Sequence, residues 1–160
     1  MGSLLKIVEI ARTAEIAVKL RALELTKFVT LRMLEYLVAQ TPVDTSKALS
    51  NWRVAVGGSG YGAEEIPAYF VGQAGSTQSA SSRAAIEAAK AALKKARAGG
   101  TVAIINQAPY IGRLAEGYSA QAPAGWVEGS IIVARYATKE YNFNKRLAQD
   151  IKRGRVNLNE

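Results

Sequence analysis

LLKIVEIARTAEIAVKLRALELTKFVTLRMLEYLVAQ, residues 4–40, contains neither proline nor glycine. Within it Val8, Ala11, Glu15, Val18, Ala22, Leu25, Val29, Met33 and Tyr36 recur at three- and four-residue steps, and Leu4, Ile7, Leu20, Leu34 and Leu37 widen the stripe. That spacing places them along one face of a helix about 55 Å long at roughly 1.5 Å per residue. Charges interleave on the outside, from Lys6 and Glu9 to Arg32 and Glu35, several at helical spacing where they add small stabilising terms. A helix of this length exceeds what a small domain covers by itself. Either it is a core helix broken somewhere, or part of its apolar stripe packs on another subunit.

Thr41-Pro42 stops the helix, since Pro42 lacks a donor and pushes its predecessor out of helical geometry. Asp44 or Thr45 is then placed to cap a short helical turn running to Asn51. Trp52 to Val56 alternates as a strand. Residues 57–78 shift to Gly, Ser, Tyr and Glu, a segment too long for a simple connection and read as an exposed, mobile loop. An Ala-rich helix is expected from Ser79 to Ala98, capped near Ser81 or Ser82 and ended by Gly99-Gly100. Thr101 to Asn106 reads as a second strand, followed by a weak turn at Gln107–Tyr110 and a short helical piece to Glu116-Gly117. After the break at Gln121–Gly125, Val127, Ile131, Ala134, Thr138 and Tyr141 favour helix, although Ile131-Ile132-Val133 also suits a strand. The basic end, 145–160, is expected to fray.

Composition bounds the function. The chain has 160 residues, a single-domain length, with 49% hydrophobic and 21% charged residues. No apolar run reaches the length of a membrane span and no secretory pattern opens the chain, which implies an intracellular protein without a membrane partner. There is no cysteine and no histidine. Disulfides, thiol nucleophiles and thiolate metal sites are thereby excluded, and the commonest general base and transition-metal ligand are missing. These absences point away from catalysis, from a cofactor and from a small-molecule substrate. The glycines of 57–78 form no phosphate-binding fingerprint, and Ser3-Leu4-Leu5-Lys6 matches Ser-x-x-Lys only by chance. Glu64-Glu65 lies in the loop instead of on rigid elements. A carboxylate–metal hydrolase would need Asp and Glu to converge from distant segments.

The net charge of +8 suits an anionic partner. Lys94, Lys95 and Arg97 in one segment, and Lys152, Arg153 and Arg155 in another, are the candidates to face DNA. For the first group, cations at a helix C-terminus are already explained by the helix dipole. No stacking strand or DNA-binding signature accompanies either group. Tyr110, Tyr118 and Trp126 stand beside Pro or Gly, and with Trp52 they read as packing or interface anchors.

Three segments carry a resemblance. Thr41-Pro42-Val43-Asp44-Thr45-Ser46, followed by Ala48, Asn51 and Trp52, resembles the TPVDTG…L…SW segment of tail-completion proteins of long-tailed bacteriophages. Asn106-Gln-Ala-Pro109-Tyr110, with Leu114, Glu116 and Gly117, is similar to their N…PYA..LE.G segment, and Gln121-Ala-Pro123-Ala-Gly125-Trp126-Val127 to the QAPAGMV that follows in the branch including the minor tail protein of lambdoid phages. Ser46 stands where that family has Gly, which puts a left-handed turn there in question. Trp126 stands where it has Met.

The resemblance implies an α+β subunit, a long N-terminal helix and further helices packed on a small, mainly antiparallel sheet. It implies a non-enzymatic virion protein of the neck, assembled in the bacterial cytoplasm. Such a protein forms a ring, commonly a hexamer, at the head-proximal end of the tail, touching neighbouring neck and tail-tube proteins and the passing DNA. A tail terminator of the same architecture, or a stand-alone basic nucleic-acid-binding protein, are the alternatives.

Overall fold

The computed structural model describes residues 2–58 and 64–153. The architecture is α+β: among the described residues there are one long helix, five shorter ones and a two-stranded antiparallel sheet. Helix α1, Gly2–Gln40, runs 39 residues without a break. Nothing between residues 4 and 40 removes a backbone donor. Same-helix ion pairs brace the exposed side, Lys19 to Glu15 at 2.6 Å and Arg21 to Glu24 at 2.6 Å. It stops where expected: the Thr41 amide donates to the Leu37 carbonyl at 3.0 Å, and Pro42 cannot continue the pattern.

A single turn, α2 (Lys47–Ser50), leads into strand β1 (Trp52–Val56), which pairs with β2 (Val102–Asn106) in the register Trp52↔Asn106 to Val56↔Val102. The chain between the strands carries α3 (Gln78–Leu93), which lays Ser81, Ala85, Ala89 and Leu93 against β1 and α1. Four-residue spacing puts these side chains on one face, and their small size lets the helix approach closely. Helix α3 ends at Leu93, short of Ala98. Its serines do not cap it, and Ser81 is buried along its length. The core holds Leu34, Leu37 and Val38 from α1 with Leu49, Trp52 and Trp126.

Beyond β2 come α4 (Ile111–Ala115), α5 (Gly129–Tyr141) and α6 (Phe143–Arg153). Ile131-Ile132-Val133 is helical, as favoured over a strand. α5 packs along α1, with Arg32 bonded to Glu140 at 3.1 Å and the Phe28 and Tyr141 rings 5.7 Å apart. Its first residue, Gly129, leaves room for the Tyr36 hydroxyl, which a Cβ there would displace.

The frayed end expected from Lys145 is corrected over its described part. α6 is helix to Arg153, held to α1 by a two-pronged Arg21–Asp150 pair, and its Arg146 Nε donates to the Tyr141 carbonyl at 2.8 Å, satisfying the end of α5. The partner Asp150 lies 129 positions from Arg21, beyond the reach of any local pattern. Arg155 lies outside the described residues.

Candidate functional site

The three segments that carry the resemblance are far apart in sequence and interlocked in space. The first begins at Thr41, whose hydroxyl accepts from the Trp52 indole Nε1–H at 2.8 Å while donating to the Leu37 carbonyl at 2.6 Å. This chain of bonds fixes the direction in which the backbone leaves α1. The second segment is tied to the first by Asn106, whose Nδ2 donates to the Ala48 carbonyl at 2.9 Å. Asn106 Oδ1 also accepts from the Ala108 amide at 2.9 Å, turning the chain before Pro109. The third segment is tied to the first by Gln121 Oε1, which accepts from the Val43 amide at 2.8 Å.

At the centre Trp52 and Trp126 meet edge to face, ring centroids 6.2 Å apart and planes at 82°. Trp126 Nε1–H donates to the Leu114 carbonyl at 2.9 Å, joining the third segment to the second. Both indoles are buried, with Trp126 3% exposed. The sequence left both open as packing or interface anchors; the structure makes them packing, and Trp126 is unavailable to a partner in the folded chain.

Glycine is required at Gly117. The turn after α4 closes with the Gly117 amide on the Leu114 carbonyl and the Tyr118 amide on the Arg113 carbonyl, the Schellman arrangement that needs a left-handed residue. Gly117 has φ 88°, and a Cβ there would sit 2.8 Å from the Ala124 amide. The second segment's glycine thus lets the third segment pass against it.

Two expectations about the first segment change. Neither Asp44 nor Thr45 caps α2. Asp44 instead faces the glycine-rich segment, its Oδ1 accepting from the Ala74 amide at 3.1 Å and its carbonyl from Gly75 at 3.1 Å. Ser46 precedes α2 with φ 62°, so the left-handed turn persists although serine replaces glycine. Its hydroxyl, 2.9 Å from Thr77 Oγ1, offsets part of that strain.

The outer surface of this unit is a cleft of about 240 Å³ whose walls include Pro42, Thr45, Lys47, Tyr110 and Gln121. A second recess continues from Thr45 and Lys47 to Ile66, Pro67 and Val71. Exposed apolar side chains rim the surface: Tyr110, Tyr118 and Val71, the last 87% exposed. Burial, reinforced by the Glu65 carboxylate, pushes the Tyr110 phenol up. Lys47 is engaged with Glu65 at 3.0 Å. Glu116, Pro109, Pro123 and Gly125 are exposed on the connecting turns, and Gly125, at φ 81°, reaches back to bond the Ala115 carbonyl. Among the described residues no three His, Cys, Asp or Glu side chains gather as a metal site would need, and no helix is long and apolar enough to cross a membrane.

No protein-family model, curated protein or solved structure matches this chain.

The candidate DNA-facing cations fall into two groups that the fold keeps apart. Lys94, Lys95 and Arg97 follow α3, whose Lys90 lies in the field of Glu35, whereas Lys152 and Arg153 close α6, whose Asp150 holds Arg21. Glu35 and Arg21 are separated by about 21 Å along α1. The two groups of candidate cations therefore stand at the ends of different helices.

Sequence reasoning missed the role of Asn51. Fully buried, it donates through Nδ2 to the Lys47 and Ile66 carbonyls, both at 2.9 Å, and accepts from the Ile66 amide at 2.9 Å. With Ser50 Oγ accepting from the Tyr69 amide at 3.0 Å, it clamps residues 64–77, which carry no helix or strand, to the body. The one available signal was two polar residues between Leu49 and Trp52.

Proposed function

We propose that this chain is a structural, non-enzymatic protein of the neck of a long-tailed bacteriophage, a tail-completion or head–tail joining component. It assembles in the host cytoplasm into a ring, a hexamer in this reading, that sits in the virion at the head-proximal end of the tail. There it contacts neighbouring neck and tail-tube proteins. A tail terminator would use the same architecture at the same place.

One observation carries the reading. The three segments that resemble tail-completion proteins interlock through Thr41–Trp52, Ala48–Asn106, Val43–Gln121 and Leu114–Trp126. Residues dispersed along a chain and shared as a pattern are expected to serve one structural purpose, and here they build one rigid surface. Its buried members hold the turns, while Tyr110, Tyr118 and Val71 project. Large amphipathic rings on rigid turns suit a repeated head-to-tail contact, which closes into a ring when the rotation closes.

The experiment is complementation. A phage lacking the cognate gene is supplied with this chain carrying Tyr110→Ala and Tyr118→Ala together. The reading expects folded protein, full heads and separate tails, and a yield of infectious particles reduced at least tenfold. Undiminished yields from the double variant contradict it.

A further inference from the structure

A recess of about 520 Å³ lies along α6, where α5 ends and Arg21 of α1 reaches across. Its two carboxylates are both taken: Asp150 holds Arg21 in the two-pronged pair, and Glu140 is bonded to Arg32 at 3.1 Å. Lys145, Arg146 and Arg153 also line the recess. Among the described residues, no carboxylate lies within ion-pair distance of any of these three. Folding explains only part of this arrangement. The helix dipole favours Arg153 in the last turn of α6 but disfavours Lys145 in the first, where no acidic residue answers it.

Arg146 is held from two sides. Its guanidinium carbon stands 4.5 Å from the centre of the Tyr141 ring, and its Nε donates to the Tyr141 carbonyl at 2.8 Å. Its two terminal nitrogens make no hydrogen bond among the described residues, so a planar fork is fixed in place with donors to spare. Lys145, Gln149 and Arg153, at four-residue steps, put two cations and a neutral donor along one face of α6 over about 12 Å. That is too long for a single small anion and suits a row of them. The lining selects among polyanions. A protein interface is built around an apolar centre, and this recess has none, since its one ring, Tyr141, is 3% exposed beneath Arg146. A single nucleic-acid strand would need an open aromatic face for its bases to stack on. The backbone of a duplex needs neither, because cations and hydrogen-bond donors alone bind it, and a guanidinium fork matches its phosphate oxygens.

We propose that the recess along α6, with Lys145, Arg146 and Arg153 as its cations, binds the phosphodiester backbone of duplex nucleic acid without reading its sequence. This inference does not rest on the neck reading.

The test follows binding of a fluorescent DNA duplex of about 20 base pairs to the whole chain by anisotropy across a salt series. Three phosphate contacts, at about 0.9 each, give a slope of log affinity against log salt near roughly −2.7. Lys145→Gln with Arg153→Gln should weaken binding at least tenfold at low salt and bring the slope to about −0.9, with circular dichroism unchanged. Lys94→Gln with Lys95→Gln, the same loss of charge at the end of α3, should change affinity less than twofold and leave the slope as it was. Arg146→Lys, which keeps the charge and loses the fork, should fall between the two. Equal weakening by the two glutamine pairs, a slope that Lys145→Gln with Arg153→Gln leaves unchanged, or no binding of the duplex overturns the proposal. So does tighter binding of an oligoglutamate of matching charge or of phosphatidylglycerol vesicles, which assigns the recess to an acidic protein or a membrane. Inorganic phosphate that displaces the duplex better than chloride at equal ionic strength also overturns it, assigning the recess to the free anion.

Discussion

Replacing Trp126 with alanine separates a packing role from an interface role. Trp126 is 3% exposed, meets Trp52 edge to face and donates its indole N–H to the Leu114 carbonyl at 2.9 Å. Truncating a buried tryptophan to alanine costs about 3–5 kcal/mol through lost transfer energy and the cavity left behind. The unpaired Leu114 carbonyl and the lost ring contact lie within that figure. Against a typical total of about 5–15 kcal/mol, this is a large share of the stability. With a urea slope near 2 kcal/mol/M, a loss of about 4 kcal/mol lowers the unfolding midpoint by roughly 2 M. The assay is urea unfolding followed by the fluorescence of Trp52, the one tryptophan left in the variant. Trp126→Phe, which keeps a ring and loses the donor, should fall between wild type and alanine. Tyr118→Ala, at a residue 77% exposed, should stay within about 0.5 kcal/mol. A midpoint shift under about 0.5 M for Trp126→Ala refutes the reasoning, because it would mean that the three segments do not depend on their central contact.

Ser46→Gly should be nearly neutral, since relief of the left-handed strain, about 1 kcal/mol, is offset by loss of the Thr77 hydroxyl bond; Ser46→Val should cost about 2 kcal/mol or more in the same urea assay. Asn51→Ala leaves both the Ile66 carbonyl and amide without their partner, so it should cost about 2–4 kcal/mol and expose 64–77 to limited proteolysis well before the body unfolds. Asp150→Asn removes one side of the part-buried Arg21 pair and should cost about 1–3 kcal/mol, with amide exchange accelerated in α6 ahead of α5. Gly117→Ala combines a φ of 88° with a close approach to Ala124, and its melting temperature should fall by more than that of Gly112→Ala, where a Cβ meets open space.

Local features were legible in the sequence because local physics decides them. The absence of Pro and Gly between residues 4 and 40 gave α1, Pro42 gave its end, and alternation at Trp52–Val56 gave β1. Pairings at long range were not legible. Nothing near Arg21 announces Asp150, and without that pair the basic end of the chain looks like a solvated tail. The roles of the tryptophans illustrate the same limit: the sequence left them open between packing and interface anchors, and the contacts that make them packing, with Thr41, Leu114 and each other, are long-range. Helical periodicity identified an apolar stripe on α1 but not its direction, because two faces of that helix are apolar and one faces the core.

The central claim, a ring of identical subunits, is tested most directly by native mass spectrometry of the purified chain across a concentration series at physiological ionic strength. The account predicts a closed species at six times the 17.1 kDa protomer that grows with concentration and is lost in the Tyr110→Ala, Tyr118→Ala double variant. A protomer that stays monomeric at every concentration, or a species unaffected by that variant, contradicts it.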